Sequence, residues 1–98
     1  MTTKDVNAAI WAIESPEAVK RGILGPMYTR SIDASMAVIQ RRWESPRVTF
    51  DRGTFRRGST WLAWIETRSK AETHKHGEAD TPSHALALAL LAALEAEQ

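Results

Sequence analysis

The chain has 98 residues with 43% hydrophobic content, four tryptophans and no cysteine, which is enough for one domain (residues 1–98) with a thin core and too apolar for a disordered chain. The missing cysteine excludes disulfides, thiolate metal sites and a cysteine nucleophile, and it suits a reducing cytoplasm. The net charge of +1 hides an asymmetry: residues 41–70 hold eight basic side chains against Glu44, Asp51 and Glu66, whereas residues 71–98 hold only Lys75 against Glu72, Glu78, Asp80, Glu95 and Glu97, a polarity that suits an anionic partner or head-to-tail self-association.

Thr3 reads as the N-cap of a first helix, with Asp5 in its first turn where the helix dipole favours an acid. Val6, Ala9, Ile10 and Ile13 recur at helical spacing. Ser15-Pro16-Glu17 breaks or restarts that helix, and Gly22, Gly25 and Pro26 make the next stretch a loop. A second helix begins at Ser31, carries Ile32, Met36, Ile39 and Trp43 as its apolar stripe, and ends at Ser45-Pro46.

Three strands follow. Residues Arg47 to Arg52 alternate, with Val48 and Phe50 on the face expected to meet the core. Thr60 to Thr67 is apolar on both sides, Trp61, Ala63 and Ile65 on one and Leu62 and Trp64 on the other, as in a central strand covered on both faces. A weaker strand spans Thr73 to Ala79. The last helix is capped by Thr81, has Pro82 at its first position and continues as an alanine- and leucine-rich run from Ala85 to Ala96. Its apolar run to Leu94 is about half the ~20 residues of a membrane span, and no apolar run behind Lys4 and Asp5 forms a signal peptide. Short links imply an antiparallel meander. The expected fold is therefore α+β, order α-α-β-β-β-α, a three-stranded antiparallel sheet with helices on both faces in an α/β/α sandwich.

Two segments carry a family resemblance. Tyr28-Thr29-Arg30-Ser31-Ile32-Asp33-Ala34 precedes a helix ending near Trp43, and Glu78-Ala79-Asp80-Thr81-Pro82 precedes an alanine-leucine helix, with a tryptophan-containing strand between them. In that order they resemble the phage ABA sandwich domain, a family of small phage and prophage proteins, over about two thirds of the chain from Tyr28 to Leu94. The resemblance implies helix–sheet–helix layers and an accessory role in the cytoplasm of a bacterial host, and it brings no catalytic residues. The chain departs from the family pattern in the basic connection from Arg52 to Ser59 and in His84, at a helix position where an apolar residue is expected.

Three groups of residues offer chemistry. His74, His76 and Glu78 alternate on one face of the third strand and His84 lies one turn into the last helix; two histidines at this spacing with an acid suit zinc or nickel, while the same alternation also belongs to any solvated strand face, which is the reading taken. Arg52, Arg56 and Arg57 flank a tight connection containing Phe55, with Arg47 one strand length away. Arginine forks grip phosphate and an interleaved aromatic stacks on a base, so Arg47, Arg52, Phe55, Arg56 and Arg57 form the candidate partner- or anion-binding site, set against a plain solvated hairpin tip. The amides of Thr81 to His84 form a possible anion seat, but Asp80 and Glu78 oppose one and capping accounts for the motif.

No serine stands in a nucleophile-elbow pattern and no glycine-rich phosphate loop occurs. Trp43, Trp61 and Trp64 read as core, and Trp11 as core or an interface anchor. The expectation is a protein that binds rather than catalyses, with no cofactor, no membrane contact and a possible homodimer. With the phage resemblance, the expected partner is a host protein or complex in antiviral defence, such as a CRISPR complex or a nucleotide-signalling system. A nucleic acid or nucleotide ligand on the basic patch, and a metal-dependent enzyme centred on His74 and His76, are the alternatives.

Overall fold

The computed structural model describes residues 2–53, 60–67 and 73–97. Helix α1 spans Thr3–Glu14, and its cap is Thr2 rather than Thr3: the Thr2 hydroxyl accepts from the Asp5 amide while the Asp5 carboxylate accepts from the Thr2 amide, a reciprocal capping box. Proline starts a short helix α2 at Pro16–Lys20. A loop and a single 3-10 turn at Tyr28–Arg30 lead to α3 at Ile32–Arg42, where the Ser31 hydroxyl accepts from the Ala34 amide. Strands β1 (Arg47–Gly53), β2 (Thr60–Thr67) and β3 (Thr73–Ala79) form one antiparallel sheet in the order β1-β2-β3. Helix α4 spans Pro82–Ala96, with the Thr81 hydroxyl accepting from the His84 amide.

The α+β class, the element order and the meander are those the sequence predicts. Among the described residues the helices reach the sheet through α4, which lies on β3 and β2. It covers the face that carries Ala63, Ile65 and Thr67, all buried. Helices α1 and α3 and the 3-10 turn pack on the far side of α4. The opposite face of the sheet, with Leu62 and Trp64, carries none of the described helices; the cover on that side for which the sequence called is not supplied by α1 or α3. Helix α4 thus sits between the sheet and the other helices, and eight of its side chains are buried around its circumference, from Ala85 to Leu94. An all-round apolar helix belongs in such a middle position, since a surface helix needs only one apolar stripe.

The core joins Val6 and Ile10 of α1, Tyr28, Val38 and Ile39 of α3, Trp43, Ala63 and Ile65 of β2, and the alanines and leucines of α4. The stripe of α3 is rotated from the expected one: Ser35, Val38 and Ile39 are buried, while Ile32 and Met36 are half-buried. No described helix is long and apolar enough to cross a membrane.

Candidate functional site

Strand alternation divides the sheet into two surfaces. Val48, Phe50, Arg52, Trp61, Ala63, Ile65, Lys75, Gly77 and Ala79 share the face toward α4; Arg47, Thr49, Asp51, Leu62, Trp64, Glu66, His76 and Glu78 share the open one. On the open face the register sets three rows across the strands. Thr49, Trp64 and His76 form the middle row, Asp51, Leu62 and Glu78 the row on one side, and Arg47 and Glu66 the row on the other.

Trp64 is half-buried and lies outside the core. Its ring packs on the imidazole of its cross-strand partner His76, with centroids 4.8 Å apart and planes tilted by 33°. Such a pair is held by the register itself, because directly opposed side chains stand about 4.5–5.5 Å apart at Cβ. Leu62 extends the apolar ground beside it, half-buried. The Thr60 hydroxyl donates to Glu78 Oε1 at 3.0 Å, which holds that carboxylate at the rim. The described open-face side chains include one base, Arg47, and three acids, Asp51, Glu66 and Glu78, so the surface is an aromatic and aliphatic centre with an acidic border.

Of the arginines that the sequence grouped, the structure describes Arg47 and Arg52. Arg47 and Arg52 lie five residues apart on β1 and therefore point to opposite faces. Arg47 stands on the open face opposite Glu66, whereas the Arg52 guanidinium lies 5.5 Å from the centroid of the Trp61 ring on the α4 face, a cation–π distance. Phe55, Arg56 and Arg57 lie outside the described residues. Of the proposed metal ligands, His76 and Glu78 share the open face, and the His74 side chain lies outside the described set. His84 sits on α4, across the sheet from both. Among the described residues no three His, Asp or Glu side chains group as a metal site.

Three further relationships were not legible in the chain. Trp11 donates from Nε1 to the Ile23 carbonyl at 3.0 Å and its ring lies over Gly25, where an added Cβ would stand 2.3 Å from the indole. That contact presents Val19, Ile23, Leu24 and Met27 outward, Leu24 being 93% exposed. Glu14 is enclosed at the end of α1 and accepts from both Arg41 Nη2 and Arg42 Nε of α3. Trp43 donates from Nε1 to Glu97, pinning the end of α4. The stacking of Trp64 on His76 had a signal in the sequence, since both strands were delimited; only their register was missing.

Comparison of this chain with protein-family models, with curated proteins and with solved structures finds no match.

Proposed function

We propose that the chain is a non-catalytic phage or prophage accessory protein that acts by stoichiometric binding, blocking a protein component of host antiviral defence in the bacterial cytoplasm. The observation that carries the binding role is the open sheet face, where Trp64 and Leu62 stand half-buried beside His76 with no described helix over them. A large aromatic at the centre of a surface that none of the described helices covers, ringed by polar groups, has the usual anatomy of a binding hot spot. The phage context rests on the two motifs around Tyr28–Ala34 and Glu78–Pro82.

The charge of the face favours a protein over a nucleic acid. Asp51 and Glu78 would repel phosphate, and they suit a partner that presents lysine or arginine around an apolar spot. Of the basic side chains on which a nucleic-acid reading draws, the described pair, Arg47 and Arg52, faces opposite sides of the sheet.

The test is a pull-down of the tagged chain from bacterial lysate, with and without nuclease, run in parallel with Trp64→Ala. Expected is a nuclease-resistant protein partner whose retention falls about tenfold or more with Trp64→Ala, in line with the loss of a hot-spot aromatic. In cells carrying the matching defence system, expression of the chain restores phage plaques and Trp64→Ala does not. Recovery of nuclease-sensitive material alone, weakening steeply with salt, overturns the reading in favour of nucleic-acid binding. A partner held equally well by Trp64→Ala overturns the site.

A further inference from the structure

Strand β1 is an edge: its seven residues pair with β2 on one side, and among the described residues no strand lies on the other. An unpaired edge is a template for another strand unless its side chains forbid it. On β1 the exposed charges include both signs, Arg47 and Arg52 against Asp51, so a second copy of the strand can match them. Thr49, Phe50 and Asp51 are exposed and Val48 is half-buried, because α4 covers β2 and β3 and stops short of β1. Phe50 is 36% exposed although it shares the face of the core.

We infer that two copies of this chain join edge to edge through β1, antiparallel about a two-fold axis at Thr49, to make one continuous six-stranded sheet. The two-fold must run perpendicular to the sheet, so each side chain meets a partner on its own face, and the centre must fall on a residue rather than between two. Centred on Thr49, Arg47 of each copy stands opposite Asp51 of the other on the open face, and Val48 stands opposite Phe50 on the other face. Both charges and both apolar side chains are matched twice over. Centring on Phe50 would set Val48 against Arg52, and centring on Asp51 would set two aspartates face to face. Centring on Val48 would bring Pro46, which has no N–H, into the ladder opposite Phe50. In the Thr49 register Pro46 instead marks the end of the pairing.

This association draws on Arg47 and Asp51 at the border of the open face, and it would place two such faces side by side on one sheet, with Trp64 of each copy available. The inference is tested on the full chain by sedimentation and by cross-linking. The wild type is expected at twice its 10.9 kDa monomer mass as concentration rises. Arg47→Asp and Asp51→Arg each set like charges opposite one another and are expected to be monomeric alone, while an equimolar mixture of the two variants restores the dimer, since the opposed charges again differ in sign. Circular dichroism of each variant separates loss of association from loss of fold.

Thr49→Cys gives a second readout that leaves the charges untouched. The chain has no other thiol, and the two-fold places the introduced thiols directly opposite each other, within the Cα separation a disulfide bridges. Thr49→Cys is expected to form a disulfide dimer under mild oxidation several-fold faster than Asp51→Cys, whose thiol faces Arg47. A wild type that remains monomeric at every concentration overturns the inference and leaves the edge to a strand of another protein. A dimer that survives both charge reversals, or that cross-links equally from either position, overturns the interface.

Discussion

Gly77 of β3 lies directly beneath Ala85 of α4: a Cβ at residue 77 would stand 2.2 Å from the Ala85 carbonyl oxygen and 2.6 Å from the Ala89 amide nitrogen. Its cross-strand partner is Ala63, which is fully buried. The two form a saddle of small residues in which α4 rests, and this seat decides which face of the sheet the helix covers. A glycine within a strand commonly marks such close backbone approach.

Gly77→Ala forces α4 away from the sheet, because the atoms in the way belong to the backbone and have no rotamer to escape into. The expected loss is about 2–4 kcal/mol of stability, read from urea unfolding followed by tryptophan fluorescence. A variant within about 0.5 kcal/mol of the wild type, the ordinary range of surface changes, would show that the approach is looser than described.

Glu14 closes α1, an end where an acid opposes the helix dipole. Its side chain is 3% exposed and meets Arg41 and Arg42, which themselves keep 65% and 32% exposure. Those two arginines complement the negative end of α3, so the triad ties two helix termini together. Glu14→Ala is expected to cost about 1–3 kcal/mol, below the value for a wholly buried pair because both arginines can turn to water. Arg41→Ala should cost under about 1 kcal/mol, since Arg42 still neutralises the carboxylate. Thermal unfolding of the two variants checks the order.

Tyr28 is 2% exposed, and its hydroxyl is held above the ordinary tyrosine value by burial first and then by the Glu14 charge, with Arg41 acting against both. A raised folded value means the fold favours the neutral phenol. The contribution is therefore complete below the unfolded value of about 10 and is lost as pH climbs through the higher folded one. Stability should fall more steeply above about pH 10 in the wild type than in Tyr28→Phe. As Tyr28 is the single tyrosine, phenolate absorbance of the native protein reads the shift directly; titration at or below the value of a free tyrosine would contradict it.

Ser35 is fully buried in the middle of α3, and its hydroxyl has no hydrogen-bond partner among the described residues. A buried unpaired hydroxyl is destabilising, and serine is also the weaker helix former. Ser35→Ala should raise stability by about 0.5–1.5 kcal/mol, measured by the same denaturant titration. A loss of stability would mean that the hydroxyl has a partner after all.

The elements themselves were written locally. Ser31 and Thr81 cap their helices with side-chain oxygens, Pro82 occupies a position where its missing N–H costs nothing, and β2 and β3 begin and end where their alternation does. The first cap was misplaced by one residue because Thr2 and Thr3 are chemically equivalent; only Thr2 stands three residues before Asp5, the spacing that closes the box. These features depend on neighbours within a few residues, so they are legible in the sequence without any tertiary contact.

What the tertiary structure alone decided concerns faces and partners. Alternation says that Arg47 and Arg52 differ in side, but nearness in sequence joined them into one patch, and the pleat separates them. Both sides of β2 are apolar, so the pattern asked for cover on each; the small Ala63 and Gly77 admitted α4 on one side, and Trp64 packed on His76 instead of under a helix. Glu14 met its arginines across 27 and 28 residues of chain, a contact that no local pattern encodes. Period and capping chemistry are local and survive in a single sequence, whereas the choice of covered face turns on how closely two backbones approach, which is settled only when the layers are packed together.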